Sequence, residues 1–255
     1  MTILISDKFS YPAGLDVATG TANGGTGFTG KWNAQATTGG TYDTVINAAG
    51  LSFYGAANTG NSLKLWTKGD GSHYQHADRS FSAAIPNTAA SIIYLAFLIN
   101  FYQIKSAATL KIAGLTTDAA GTIDATILNI GAISPYYANF NSANLFSGDA
   151  AYKTHLLIFK FTMSGAAGTP IKTDCYVDPN TSGDPKGWKP KTTSSALYVP
   201  TDMTKIYYDS GRSSSALTGD INIDELIFAT TIQEAAQLTL TPPNPGQFMA
   251  LLRGE

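Results

Sequence analysis

Disulfide bonds, long apolar runs and dense charge are all missing from this sequence of 255 residues. Its single cysteine, Cys175, excludes an intrachain disulfide, and a small buried hydrophobic residue is the expected role of that thiol. The longest apolar run, Ile92–Phe101, is about half as long as a membrane-spanning helix requires. The N-terminal stretch MTILISDKFSYP lacks a signal-peptide pattern. We therefore expect a globular chain without a membrane span.

Charge is also scarce, at 13% of residues with a net charge of −2 and no basic run. Because nucleic-acid-binding proteins carry clustered Lys and Arg, no nucleic-acid partner is expected. The polarity comes from Thr, Ser, Asn and Gly instead, while 44% of residues are hydrophobic. This composition favours extended strands with many turns, and it is more typical of secreted or particle-bound proteins than of cytosolic enzymes.

Short β-type segments alternate with turns along most of the chain. Ile92–Phe101 is too short and too rich in β-branched and aromatic residues for a core helix, which predicts a central strand buried on both faces. About twelve such segments, without a long helical pattern, predict an all-β fold, an antiparallel two-sheet β-sandwich. The Pro-, Gly-, Ser- and Lys-rich residues 180–200 are predicted to form a long surface loop.

The sequence shows no linker and no internal repeat, so residues 1–231 are predicted to form one domain and residues 232–255 a tail. Thr231 and Glu234 fit a capping box for a short helix over residues 232–237. Pro-rich sequence follows, with apolar side chains that are expected to dock on this domain or on a neighbouring subunit. These partner-docking residues are Phe248, Met249, Leu251 and Leu252.

Three stretches of the chain, FSYPAGL…GGTGFTGKW, LLIFKF…DCYVDP and INIDELIFATT, carry a family resemblance. They resemble laminin-G-like, concanavalin A-like jelly-roll domains of bacterial surface and phage proteins, although Phe28 stands where Trp is more usual. The resemblance covers residues 7–231 in scattered patches and implies that the first and last strands lie together in one sheet. The fold hosts lectins, glycanases, lyases and structural modules, so the resemblance does not choose among these functions.

The closing stretch DINIDELIFATT supports both a catalytic and a structural hypothesis. Asp220, Asn222 and Asp224 share one strand face, as the two carboxylates of a glycanase must, but the glutamates of the glycanases with a similar fold are missing. We therefore predict that Asp224 and Glu225 are structural. Either both faces of this strand are partly buried, or Asp224 and Glu225 form a bulge that changes its parity. Their side chains would then bond backbone amides of the opening loop, the glycine-rich stretch around GGTGFTGKW. No catalytic residue is predicted, and the protein is expected not to be an enzyme.

Saccharide contact requires flat aromatic rings with polar partners. The best candidates are Tyr136, Tyr137, Asn139 and Trp188. No metal site and no cofactor are predicted, since His73 and His76 would point to opposite faces of a strand. Asp-rich turns, such as those at Asp70 and Asp118, leave Ca²⁺ open as an alternative.

These features favour a non-catalytic surface module that acts by protein–protein contact. A virion decoration or fibre-type protein fits best, located at the virion surface and contacting capsid subunits or copies of itself, with weak glycan binding strengthened by multivalency. The alternative is a secreted, lectin-like carbohydrate-binding module, extracellular or at the cell surface. A glycoside hydrolase or polysaccharide lyase is the third hypothesis.

Overall fold

A computed structural model describes residues 3–15, 17, 22–36, 45–48, 50–51, 53, 60–68, 75–102, 108–114, 124–131, 137–140, 143–147, 153–166, 169–179, 187–198, 202–210 and 218–237. Within these ranges the chain forms strands and one short helix. They are β1 (Ile3–Asp7), β2 (Phe28–Ala36), β3 (Val45–Asn47), β4 (Ser62–Lys68), β5 (Gln75–Ile85), β6 (Ile92–Tyr102), β7 (Ala108–Gly114), β8 (Asp124–Gly131), β9 (Tyr137–Phe140), β10 (Ala143–Ser147), β11 (His155–Thr162), β12 (Pro170–Val177), β13 (Thr192–Tyr198), β14 (Met203–Ser210), β15 (Thr218–Ala229) and α1 (Ile232–Gln237).

The strands form two antiparallel sheets that enclose one core, which confirms the predicted all-β sandwich. The eight-stranded sheet has the order β13-β12-β11-β6-β15-β4-β3, and β1 also pairs with β15. The seven-stranded sheet has the order β10-β9-β8-β7-β14-β5-β2. The first and last strands therefore lie together, as the family resemblance implies. We use "outer face" for the side of each sheet that faces away from the other sheet.

Strand β6 is buried on both faces, as its apolar sequence predicts. Leu95, Phe97 and Ile99 belong to the core between the sheets. The alternate residues Ala96 and Leu98 are buried in a second apolar cluster on the outer face, together with residues of α1. Thr231 caps that helix, since its Oγ1 accepts a hydrogen bond from Glu234 N at 3.3 Å and donates one to Glu234 Oε2 at 2.8 Å. Part of this outer face is therefore a packed apolar surface.

A bulge at Asp224–Glu225 changes which residues of β15 face the core. The register of β15 against β6 shifts there, and Glu225 has a φ of 50°. Core-facing residues have odd numbers before the bulge and even numbers after it: Ile221, Ile223, Leu226 and Phe228. Because side chains alternate along a strand, one extra residue is what keeps both halves apolar on the core side.

A buried carboxylate connects the two sheets. Asp7 of β1 accepts hydrogen bonds from Phe9 N at 2.8 Å, Tyr11 Oη at 2.7 Å and Trp32 Nε1 at 2.9 Å. It also accepts one from Nη1 of Arg79, a residue of β5. Burial raises the pKa of the Asp7 carboxyl, while these donors and the Arg79 charge oppose that shift. The network explains why a polar group lies inside an apolar core.

The prediction of a long surface loop over residues 180–200 is wrong for part of that range. Residues Thr192–Tyr198 are not loop but form β13, which pairs with β12 as an edge strand. Ser and Thr fit there because an edge strand has a neighbouring strand on one side only, and Thr193 and Ser195 are exposed to solvent. Trp188, which precedes β13, is consequently held close to the sheet.

Candidate functional site

A line of residues with hydrogen-bonding side chains crosses every strand of the seven-stranded sheet. Each is the direct register partner of the next, from β2 at one edge to β10 at the other: Gln35, His76, Asp209, Thr109, Asn129, Asn139 and Asn144. We call this line the polar row. Ala138 and Leu145 lie in the core, so strand alternation places the Asn139 and Asn144 end of the row on the outer face. At a strand spacing of about 4.8 Å, it extends over roughly 29 Å.

A second polar line lies beside the polar row. Asn33 pairs in register with Asp78, and Asp78 pairs with Tyr207. Asn33 Nδ2 donates to Asp78 Oδ1 at 3.1 Å, and Lys205 Nζ lies 3.8 Å from Asp78 Oδ2. Lys205 Nζ is also 5.5 Å from the centroid of the Tyr207 ring. An amide and an ammonium group thus hold the Asp78 carboxylate in place on this face.

Asn139 is a member of the polar row and is also one of the residues that the sequence predicts to contact saccharides. Its neighbours Ala138 and Phe140 are in the core, so Asn139 lies on the outer face. Its Oδ1 is buried and has no hydrogen-bond partner among the described residues. A buried acceptor without a donor is costly, so a ligand that donates a hydrogen bond there would be stabilised. Tyr137 pairs in register with Gly131, further along the same strand.

Trp188 lies on the opposite side of the sandwich. Its ring centroid is 6.4 Å from that of Tyr176, and it packs against the outer-face cluster of the eight-stranded sheet that includes Ala96 and Ile158. The structure therefore does not bring Trp188 together with Asn139. Saccharide contact at either residue stays a prediction, and the two would belong to different surfaces.

Asp224 and Glu225 are buried at 0% and 2% exposure, respectively. Asp224 Oδ2 accepts a hydrogen bond from Leu51 N at 2.9 Å, and its Oδ1 accepts one from Glu225 N at 2.8 Å. The opening loop pairs with β1 through Ser6 and Thr26. Hydrogen bonds from Asp224 or Glu225 to backbone amides of that loop stay a prediction. A glycanase also needs accessible carboxylates, and Asp224 has no exposed surface.

Several predictions concern residues outside the described part of the chain. These are Tyr136, His73, Asp70, Asp118 and the four partner-docking residues Phe248, Met249, Leu251 and Leu252. Within the described ranges, no three His, Cys, Asp or Glu side chains are grouped to hold a metal ion. The described helix is also too short to cross a membrane.

Sequence alone would not have found the polar row. Its residues come from segments as distant as Gln35 and Asp209, and only strand order makes them neighbours. A local signal does exist, since His76, Asp78 and Ser80 alternate with the core residues Ala77, Arg79 and Phe81, and Lys205, Tyr207 and Asp209 alternate with Ile206 and Tyr208. That alternation indicates a polar outer face but not which strands share it.

Comparison with known proteins gives structural similarity alone. No family model matches the chain, and no curated protein sequence matches it. A glycosyl hydrolase family protein from Mycobacterium fortuitum has 13% identity and a TM-score of 0.48, over 90% of this chain and all (100%) of that one. The T. cruzi calreticulin globular domain has 12% identity and a TM-score of 0.47, over 87% and 91%. An alginate lyase has 6% identity and a TM-score of 0.46, over 78% and 87%.

These similarities concern the fold and assign no activity. They do correct one expectation, that the protein is not an enzyme. Because a glycosyl hydrolase family protein and an alginate lyase are among the similar structures, the fold gives no ground for that exclusion. The narrower laminin-G-like assignment and the virion role gain no support from these comparisons and stay predictions.

Proposed function

We propose that the protein binds saccharide chains on the outer face of its seven-stranded sheet. The observation that carries this proposal is the polar row, an unbroken line of hydrogen-bonding positions across all seven strands. Its roughly 29 Å length suits an extended chain rather than a single sugar. Amides and hydroxyls dominate it, and such groups match the paired donors and acceptors of sugar hydroxyls.

Two features of the described side chains support the same surface. The Asp78 carboxylate is held by Asn33 and Lys205, and its side chain is 16% exposed, so a hydroxyl of a ligand can reach it. Asn139 Oδ1 is the buried acceptor that lacks a donor among the described residues. A ligand that satisfies both sites would cross from β5 to β9 along the direction of the polar row.

The test is a glycan array followed by calorimetric titration of the ligand that binds. We expect Asn33→Ala and Asn139→Ala each to weaken binding about 5- to 10-fold, the loss of about one net hydrogen bond. Gln233→Ala on the exposed side of α1 is the matched amide control and should leave the affinity unchanged. If both site variants bind as tightly as the unmodified chain, the proposed face is not the site.

One observation favours a second candidate function, cleavage of the bound chain. Between β5 and β14, His76 pairs in register with Asp209, and Asp78 pairs with Tyr207 two residues along the strands. Imidazole, carboxyl and phenol groups are the usual general acids and bases, and residues of these types occupy both register pairs. Incubating the protein with the array ligand should then release reducing ends or an unsaturated product. His76→Ala should abolish release while binding persists, and release that is unaffected by this change would exclude the candidate.

A further inference from the structure

The outer face of the eight-stranded sheet has a polar line of its own. It lies next to the apolar cluster that packs with α1. Tyr94 of β6, Lys160 of β11, Asp174 of β12 and Thr193 of β13 are consecutive register partners. Leu95, Phe159 and Cys175, which alternate with the first three, belong to the core between the sheets. The line therefore lies on the face opposite to the core and away from the polar row.

Asp174 is the centre of this line. Thr193 Oγ1 donates to its Oδ1 at 2.7 Å. Lys160 Nζ and Lys172 Nζ each lie 3.9 Å from one of its oxygens, Lys160 from Oδ2 and Lys172 from Oδ1. The Asp174 side chain is only 9% exposed, whereas the side chains of Lys160 and Lys172 are 27% and 60% exposed. A ligand from solvent therefore meets two ammonium groups and a carboxylate that is already bonded.

The groups around Asp174 are mostly hydrogen-bond donors. Burial, and then the Asp174 charge, raises the pKa of the phenols of both Tyr94 and Tyr176, so both stay protonated at neutral pH. Each ammonium carries three N–H donors and no acceptor. With two lysines against one aspartate, the cluster has a local charge of +1 within a chain whose net charge is −2. Such a surface complements an anionic ligand that is rich in acceptors.

Two aromatic rings, those of Tyr176 and Trp188, lie next to the cluster around Asp174. The Trp188 ring stands at 60° to that of Tyr176, with a centroid distance of 6.4 Å. Trp188 is only partly buried, so part of the indole faces solvent. A flat apolar ring beside charged donors suits a sugar ring that bears a carboxylate, because the ring can stack while the carboxylate meets the lysines. A peptide carboxylate would use the lysines without this stacking.

We propose that the surface formed by Tyr94, Lys160, Lys172 and Trp188 is a second binding site, which takes a carboxylated saccharide such as a chain of uronic acid. It is independent of the polar row, because the two sites lie on opposite outer faces of the sandwich. A single molecule can therefore hold two saccharide chains at once.

The full-length chain should be titrated with an oligouronate by calorimetry. Two comparison ligands are the same oligosaccharide with its carboxylates reduced to alcohols, and a polyglutamate peptide. We expect the oligouronate alone to bind, with an affinity that falls as salt is raised. Lys172→Met should weaken binding about tenfold or more, as one charge-assisted hydrogen bond predicts. Trp188→Ala should weaken it as well.

Lys153→Met is the matched control, an exposed lysine that precedes the opposite end of β11, and it should bind like the unmodified chain. Lys172 is exposed, so its replacement leaves folding intact, and a melting curve checks this. Absent oligouronate binding overturns the proposal, as does equal binding of the reduced ligand or of polyglutamate, or an unchanged affinity in Lys172→Met. Asn33→Ala and Asn139→Ala should leave oligouronate binding here unchanged, so the two proposed sites can fail separately.

Discussion

Oδ2 of Asp7 and Nη1 of Arg79 lie 2.5 Å apart, and each side chain is only 1% exposed. The pair connects β1 of the eight-stranded sheet to β5 of the seven-stranded sheet. Nη2 of Arg79 donates to Gly24 O at 2.7 Å and to Gly30 O at 2.9 Å, and Nη1 also donates to Tyr11 Oη at 3.0 Å. One buried cation thereby fixes the opening loop against both sheets.

Breaking this pair should destabilise the fold strongly. Arg79→Met leaves the Asp7 carboxylate buried without its cation, and we expect the free energy of unfolding to fall by about 3–5 kcal/mol. Lys172→Met removes the partner of an ion pair that is 60% exposed on the lysine side and should cost less than about 1 kcal/mol. Urea denaturation measures both values. Similar losses in the two variants would contradict a special role for the buried pair.

Two glycines of the opening loop should respond differently to the same substitution. Gly27 and Gly30 both have a left-handed backbone, with φ of 78° and 67°. A Cβ on Gly27 would lie 2.2 Å from Leu4 O, whereas one on Gly30 meets no atom within 4 Å. Gly30→Ala should cost about 1 kcal/mol, from backbone strain alone. Gly27→Ala should cost clearly more, and equal shifts in melting temperature would show that β1 yields to the added methyl group.

The bulge in β15 should tolerate a change of residue type better than a change of length. Inserting one alanine after Glu225 would shift Leu226 and Phe228 by one position and turn them away from the core, so a loss of more than about 4 kcal/mol is expected. Glu225→Gly keeps the length and suits the φ of 50° at this position. It should therefore remain folded. Denaturation curves compare the two, and an insertion variant as stable as Glu225→Gly would contradict the parity argument.

Cys175 should be unreactive in the folded protein. It has 0% exposure in the core, and burial raises the pKa of its thiol, so the reactive thiolate is not formed at pH 8. We expect a thiol-specific chromogenic reagent to give no signal with the native chain and one thiol per chain in denaturant. Fast labelling of the native protein would mean that β12 opens readily.

The closing strand shows how far sequence reasoning reaches. Alternation in DINIDELIFATT predicts a strand, and its change of parity leaves two alternatives, a bulge or burial of both faces, because these patterns depend on residues that are adjacent in the chain. The structure shows the bulge. The hydrogen-bond partner of Asp224 was not predictable. Leu51 is 173 positions away, and only the packing of the folded chain brings it to the carboxylate.

The edge strand β13 is an element that the sequence reasoning did not predict. TTSSALY lacks the apolar character that marks central strands, so its sequence suggests loop. Its pairing with β12 supplies the backbone hydrogen bonds that make it a strand, and that pairing depends on tertiary position.

The sequence by itself determined the all-β class, the doubly buried strand β6 and the short capped helix. All of these follow from side-chain periods of two and 3.6 residues along a local stretch. Only the tertiary structure decided which strands are neighbours. It aligned seven polar residues from Gln35 to Asp209 into one row, and it placed Trp188 on the opposite face from Asn139. Strand order is set by long-range pairing, which no local period encodes.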